Sequence, residues 1–113
     1  MEISCSTSEN TGYIALIGQL WQKDDLVAVD DAVEKYLKQK ITNIVLDIDR
    51  LSFINSAGLG LLARTHSKIT EQNGKLILFN PHSSVLEVMV ISGFDLFMTI
   101  VKTQDELNAA LNK

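Results

Sequence analysis

The chain has 113 residues, of which 46% are hydrophobic and 21% charged, and its formal net charge is −4 at pH 7. This length and balance predict a single globular domain over residues 1–113. The ten Lys and Arg residues are scattered along an acidic chain, which argues against direct nucleic-acid binding. Cys5 is the only cysteine, so an intramolecular disulfide and a thiolate metal cluster are excluded.

The chain shows no targeting or membrane signal. Its first ten residues, MEISCSTSEN, have neither the basic region nor the apolar region of a signal peptide. No apolar run approaches the roughly 18 residues that a membrane-spanning helix needs. We therefore expect a cytoplasmic protein without membrane insertion.

The first third of the chain predicts a hairpin and then a helix. Residues 1–6 alternate between polar and apolar, residues 8–12 are typical of a turn, and residues 13–20 read as a second strand. Apolar residues then recur at helical spacing from Leu26 to Leu37. The ends of this helix carry the charges that the helix dipole favours, namely Asp24 and Asp25 at the start and Lys35, Lys38 and Lys40 at the end.

The rest of the chain alternates strand and helix. The apolar run 44–46, closed by Asp47, is typical of a buried parallel strand, and a short link leads to a helix that starts near Ser56. Asn73-Gly74 predicts the end of that helix. Further elements are expected as a strand at 75–79, a helix at 84–92, a short strand at 98–101, and a helix capped by Thr103 and Glu106 with Leu107, Ala110 and Leu111 on its apolar face. This order predicts an α/β domain with a mixed sheet.

The position of Ser56 has two interpretations. It follows a strand and a link and precedes the helix-forming run Gly60-Leu61-Leu62, so it lies at or next to a helix N-terminus. Its hydroxyl could cap that helix, an interaction worth about 0.5–2 kcal/mol. The same N-terminus also favours an anionic group, so the hydroxyl could instead accept phosphate.

Enzyme motifs are weak or missing. Residues 58–63 match the dinucleotide pattern G-x-G-x-x-A, but some ten residues separate them from the preceding strand, whereas that fingerprint needs a tight turn. Ile54 stands where a nucleophile elbow needs glycine. His66 has helical spacing typical of a packed or partly exposed helix residue, and His82 lies in a turn. We expect no catalytic residues, no metal and no cofactor.

Two apolar features could belong to the core or to a protein interface. Trp21 ends a strand and precedes a polar segment, so it could pack inside or act as an interface anchor. Residues 85–91 are apolar nearly all round if helical, and a surplus on the outer face would mark a partner surface.

Residues 46–62, LDIDRLSFINSAGLGLL, closely resemble the signature of the STAS domain of bacterial anti-sigma factor antagonists, a strand followed by F-[IM]-D-S-[ST]-G-[LI]-G. The similarity continues through Asn73-Gly74-Lys75-Leu76 and Ser92-Gly93-Phe94, and it covers the chain from Tyr13 to about Leu111. The resemblance implies a mixed sheet of four to five strands flanked by about four α-helices.

The resemblance also implies a phosphorylation switch. In this family the unmodified antagonist sequesters an anti-sigma factor, a serine kinase of the GHKL type, and so frees a sigma factor. The kinase then phosphorylates a serine that matches Ser56, and a serine phosphatase resets the system. On this basis Asn55, Ala57, Gly58 and Gly60 would shape the phosphoacceptor loop, with Gly60 in the first helical turn. The chain would be a monomer or weak dimer and not an enzyme.

The sequence departs from the family pattern at four positions. Asn55 replaces the usual acid before the phosphoacceptor, Ala57 replaces a Ser or Thr, and Gln19 and Trp21 replace two acids of a strand-end motif. The candidate partner-binding residues are Trp21, Asp24, Asp25 and Asp49. Two rival functions stay open: a STAS subunit of a lipid-type ABC transport assembly, and a small nucleotide-binding domain.

Overall fold

The computed structural model of the chain describes residues 1–112, which form a six-stranded mixed sheet and four α-helices. Strand β1 (Glu2–Ser8) and strand β2 (Thr11–Leu20) form the predicted hairpin. The turn has only two residues, Glu9 and Asn10, with φ of 49° and 64°. Two positive φ angles define a type I′ turn, whose twist matches that of the strands, so both strands run longer than the sequence indicated.

The remaining elements follow in the predicted order, with one addition. The class, an α/β domain with a mixed sheet, is confirmed. The observed ends of the predicted elements differ from the expected ends by at most a few residues. The elements are α1 (Lys23–Lys38), β3 (Asn43–Asp47), β4 (Leu51–Ile54), α2 (Ser56–Glu71), β5 (Lys75–Phe79), α3 (Ser83–Ile91), a 3₁₀ turn (Phe94–Leu96), β6 (Thr99–Val101) and α4 (Gln104–Leu111).

Strand β4 is the addition, and it brings the sheet to six strands where the resemblance implied four to five. Its sequence lacks the alternation of a strand and reads as a link: only Leu51 and Ile54 are buried, while Ser52 and Phe53 between them are exposed. A β-bulge in β4 causes this pattern: Gly18 aligns with Leu51 and Gln19 with Phe53, so Ser52 is an extra residue in β4 that has no partner in β2. Gly18 has φ 117°, a conformation that favours glycine.

The sheet has the strand order β1-β2-β3-β5-β6, and β4 pairs with the end of β2. All neighbours run parallel except β1 and β2. Successive residues of a strand face opposite sides, so the core has two parts. The larger part joins α1, α2 and α3 to one face, and the smaller part packs Leu107 of α4 on Val45, Ile77 and Val101 of the other.

Two loop details refine the sequence prediction. The helix stop predicted at Asn73-Gly74 is confirmed, with Asn73 and not glycine adopting the positive φ, at 61°. Gly74 is needed for space, since a Cβ there would lie 2.1 Å from the carbonyl oxygen of Thr42. The predicted cap of α4 is also confirmed, because Thr103 Oγ1 accepts the N–H of Glu106 at 3.1 Å.

Lys68 joins α2 to α1. Its ammonium lies 2.7 Å from Glu34 Oε1 and 2.9 Å from Asp30 Oδ1. Hydrogen bonds to Glu34 and then to Asp30 raise the pKa of Lys68 above its ordinary value. All three side chains keep at least a third of their exposure, so the ion pairs are partly screened by water.

We predict that Lys68→Gln lowers the free energy of unfolding by about 0.5–1 kcal/mol at pH 7. Because the folded-state pKa is raised, this stabilisation is fully present below the unfolded-state pKa of about 10.4 and is lost as pH rises through the folded value. Urea unfolding at pH 7 and pH 11 checks this, with Lys38→Gln at the exposed end of α1 as control. An equal loss at both pH values would contradict the ion-pair account.

Candidate protein-binding site at the start of helix α2

Asn55 fixes the start of α2. Its side-chain Oδ1 accepts the N–H of Gly58 at 3.0 Å, so Asn55 and not Ser56 is the N-cap of this helix. The other end of the same amide donates from Nδ2 to the carbonyl oxygen of Trp21 at 3.3 Å. One side chain thus holds the end of β2 and the end of β4 against the first turn of α2.

Ser56 is the first helical residue, and its side chain is exposed, as the sequence predicts. Because Asn55 caps the helix, the interpretation of Ser56 as the cap is wrong. The Ser56 hydroxyl and the N–H groups of Ser56 and Ala57 make no hydrogen bond to residues 1–112. No acidic residue lies in the first turn of α2. The position therefore combines a free hydroxyl with the positive end of a helix dipole.

The predicted loop around Ser56 is shorter than expected. Ala57, Gly58 and Gly60 belong to α2 itself, and Gly60, its fifth residue, lies just beyond the first turn. Gly58 is buried against the strand ends: a Cβ there would lie 2.6 Å from Ile54 Cγ1 and 2.7 Å from the carbonyl oxygen of Leu20. At Gly60 the nearest atom would be Arg64 Nη1 at 3.3 Å, the flexible end of a side chain. Gly58 therefore sets how closely α2 approaches the sheet.

An aromatic pair lies beside this helix start. Trp21 is 45% exposed and Phe53 is 47% exposed, and their rings meet edge to face with centroids 6.4 Å apart. Of the two interpretations of Trp21, core packing is therefore wrong, and the interface anchor stays a prediction. Phe53 was missed because its strand was read as a link. The alignment of Gln19 with Phe53, set by the bulge, brings the two rings to the same end of the sheet.

The candidate acidic residues lie at the same carboxyl edge of the sheet but in separate loops. Asp24 is exposed in the first turn of α1, next to Asp25, whose carboxylate lies 3.6 Å from the N-terminal ammonium. Asp49 is exposed in the turn between β3 and β4, where it accepts a hydrogen bond from Asn80 at 3.2 Å. The candidate acids thus lie at two separate places, the first turn of α1 and the turn between β3 and β4.

Helix α3 is joined to this site by serine hydroxyls. Ser52 Oγ donates to the carbonyl oxygen of Gly18 at 3.0 Å, and Ser84 Oγ donates to the carbonyl oxygen of Ser52 at 3.2 Å. His82 caps α3, and His66 packs partly buried against the ring of Phe97, as a helix residue. The predicted apolar surplus of α3 is present at its far end, where Val90 and Ile91 are 50% and 78% exposed, and Leu96 and Phe97, which follow the helix, are 85% and 50% exposed.

Within residues 1–112, no three His, Cys, Asp or Glu side chains are grouped so that they could hold a metal ion. None of the helices in this range is long and apolar enough to cross a membrane. The site at the start of α2 is thus an exposed hydroxyl beside exposed aromatic rings, which is typical of a protein-binding surface.

Comparison with known proteins assigns the family. The sequence profile described as STAS domain matches residues 26–109, which is most of the chain. The chain therefore belongs to the STAS domain family. A 67-residue stretch is 33% identical to "Putative anti-sigma factor antagonist BtrV" of Bordetella bronchiseptica, covering 59% of this chain and 58% of that protein. The match thus spans a little over half the length of that relative.

Solved structures share the fold over nearly the whole chain. TM1081 of Thermotoga maritima, which carries the same designation as BtrV, has a TM-score of 0.88 at 17% identity, covering 98% of this chain and 95% of that one. The phosphorylated form of SpoIIAA, a Bacillus cell fate determinant, has a TM-score of 0.72 at 24% identity, covering 96% and 98%. The unphosphorylated SpoIIAA has a TM-score of 0.74 at 22% identity, covering 96% of each chain.

We predict that Gly58→Ala lowers the free energy of unfolding by about 1–3 kcal/mol, because the added methyl meets the backbone of Leu20. Gly60→Ala is the matched control on the same helix. It should be neutral or stabilise the fold by up to about 1 kcal/mol, since alanine restricts the unfolded chain and only the end of Arg64 must move. Denaturant unfolding measures both, and equal stability of the two variants would contradict the packing role of Gly58.

Proposed function

We propose that this chain is an anti-sigma factor antagonist: a cytoplasmic protein-binding module, with no reaction of its own, that sequesters an anti-sigma factor while Ser56 is unmodified. The anti-sigma factor is a serine kinase of the GHKL type, and phosphate on Ser56 releases it. A serine phosphatase restores the binding form. The similarity to BtrV and the shared fold with SpoIIAA support the class.

The observation that carries the switch is the free hydroxyl of Ser56 at the first position of α2. A kinase needs an exposed hydroxyl, and Asn55 leaves this one exposed by taking the capping role. Phosphate would add about −1.5 to −2 charges at pH 7. Here those charges meet the dipole of α2 and the uncapped N–H groups of Ser56 and Ala57, an interaction worth about 0.3–1 kcal/mol at an exposed helix end. The fold therefore tolerates the modification.

The phosphate acts by weakening the binding of the partner. Trp21 and Phe53 beside Ser56 are the apolar anchors that a partner would bury, and aromatic residues commonly dominate binding energy at interface centres. A dianion next to them would have to be desolvated or would hold the partner away from the rings. Losing such a buried contact commonly costs 2–5 kcal/mol, which is roughly 30-fold to several thousand-fold in affinity.

The acids Asp24, Asp25 and Asp49 form the rim of this surface, replacing acids that the family pattern carries at the positions of Gln19 and Trp21. Rim charges mainly change the association rate and its dependence on salt. The exposed residues Val90, Ile91, Leu96 and Phe97 supply a second apolar contact, at and beyond the far end of the helix that the Ser84 hydroxyl joins to the strand carrying Phe53.

We predict that Ser56→Ala binds the cognate GHKL-type kinase within about threefold of the parent and takes up no phosphate. Ser56→Asp should bind at least about 30-fold more weakly, with a melting temperature within a few degrees of the parent. Ser67→Asp, an exposed position on the same helix, is the control and should bind like the parent. Calorimetric titration and mass spectrometry check this.

Phosphate on another residue, or undiminished binding by Ser56→Asp, would contradict the switch. Binding of ATP by the chain alone would instead favour a nucleotide-binding domain. Co-purification with permease and ATPase subunits, with no effect from Ser56→Asp, would favour a transport assembly.

We predict that Trp21→Ala and Phe53→Ala each weaken kinase binding at least tenfold while changing the free energy of unfolding by less than about 1 kcal/mol, because both rings are near half exposed. Val27→Ala is the matched control, since Val27 is similarly exposed, at 48%, but lies in α1 and is not part of the aromatic pair. Equal losses from all three changes would show that the aromatic pair is no anchor.

A further inference from the structure

Strand β1 leaves one edge of the sheet unpaired. It is the first strand in the sheet order, and it pairs only with β2 among the strands of residues 1–112. In the type I′ turn the carbonyl of Ser8 faces the N–H of Thr11, so Ser8 and Thr11 form a hydrogen-bonded pair. Bonding alternates along an antiparallel pair, so the even residues of β1 bond to β2. The N–H and C=O groups of Ile3, Cys5 and Thr7 therefore point outward.

Nothing within β1 protects this edge from pairing. The strand EISCSTS has seven residues, no proline, no lysine and no bulge, and its single charge is Glu2 at one end. Proteins usually block an exposed edge of this length by one of those devices, because a row of free N–H and C=O groups is a template for another strand. Apart from the half-buried Ile3, every residue of the strand is exposed.

We propose that two copies of this chain pair through β1, antiparallel, about a two-fold axis at Cys5. Cys5 is the central residue of Glu2–Ser8, so this register overlaps the whole strand. It aligns Cys5 with Cys5 of the second copy and Ile3 with Thr7 of the second copy. Each aligned pair consists of residues whose backbone groups point outward, so each exchanges two hydrogen bonds. A shift to either side shortens the ladder.

Helix α1 fits the same two-fold axis. It lies alongside β1, because Asp25 near its start contacts Met1 and the Tyr36 hydroxyl near its end donates to the carbonyl oxygen of Ser6 at 2.7 Å. The two-fold axis reverses α1 in the second copy. The acidic first turn of one helix, with Asp24 and Asp25, then lies toward the basic last turn of the other, with Lys35 and Lys38. The charges at the two ends of the helices are thus complementary.

The space beside Cys5 also permits a second copy of the chain to approach β1. A cavity of about 230 Å³ opens between β1 and α1 and is lined by Cys5, Thr7, Ala32, Lys35 and Tyr36 among others. The side chains of α1 that line this cavity include the small Ala32. The surface is independent of the proposed switch, because β4 pairs with Gly18–Leu20, beyond the residues 11–17 that β1 occupies. A dimer would present two Ser56 sites.

Sedimentation of the chain alone, under reducing conditions, tests the assembly. We expect a concentration-dependent dimer for the parent and for Cys5→Ser. Cys5→Lys should raise the dimer dissociation constant at least tenfold, because the axis places the two ammonium groups opposite each other. Its melting temperature, measured where the chain is monomeric, should match that of Cys5→Ser. A parent that stays monomeric at millimolar concentration, or a dimer that Cys5→Lys leaves intact, would overturn the proposal.

Disulfide trapping tests the register. The Cα atoms of a hydrogen-bonded antiparallel pair lie about 5.5 Å apart, within the range of a disulfide. With diamide as the two-electron oxidant, Cys5 should form a cross-linked dimer at least tenfold faster than Cys5→Ser/Ser67→Cys, which reports random collision. In the Cys5→Ser background, Ile3→Cys mixed with Thr7→Cys should cross-link at least tenfold faster than either variant alone. Equal rates in these comparisons would overturn the register.

Discussion

The side-chain amide of Asn55 is the interaction on which the site depends. Its oxygen accepts from Gly58, and its nitrogen donates to the carbonyl of Trp21, so it joins the end of β2, the end of β4 and the start of α2. An aspartate, the acid usual in the family pattern, could accept from Gly58, but its second oxygen would face the Trp21 carbonyl without a proton to donate. The asparagine therefore removes a charge beside Ser56 and adds a bond that positions Trp21.

The remaining geometry follows from two glycines. Gly58 lets α2 lie against the carbonyl of Leu20, which brings Ser56 to the rim of the sheet instead of above it. Gly18 allows the bulge that changes the register of β4, and the changed register puts Phe53 beside Gln19 and its ring against Trp21. The free Ser56 hydroxyl and the exposed pair of Trp21 and Phe53 are thus brought to the same region by backbone features at Gly58 and Gly18. No direct contact between Ser56 and the rings is required.

Much of the fold could be predicted from the sequence, because long segments with periodic apolar residues are easily recognised as helices or strands. The hairpin, α1, β3, β5 and the Thr103 cap were all readable from apolar spacing and turn residues. Strand β4 was not, since the extra residue Ser52 breaks the alternation of this four-residue strand. The sequence left open whether the Ser56 hydroxyl caps α2, because serine and asparagine are both good caps and only the backbone shows that Asn55 is the N-cap. Phe53 was not predicted as a site residue because β4 was not predicted.

The central claim is that modification of Ser56 alters the binding surface and leaves the fold unchanged. The direct measurement is a comparison of backbone amide NMR spectra for the chain with serine and with phosphoserine at position 56. The account predicts large shifts at Ser56 and Ala57, whose N–H groups are free to bind the phosphate, and a smaller shift at the Trp21 indole. Amides of β3 and β5 should keep their positions. Shifts spread through those central strands, or none at Ala57, would contradict it.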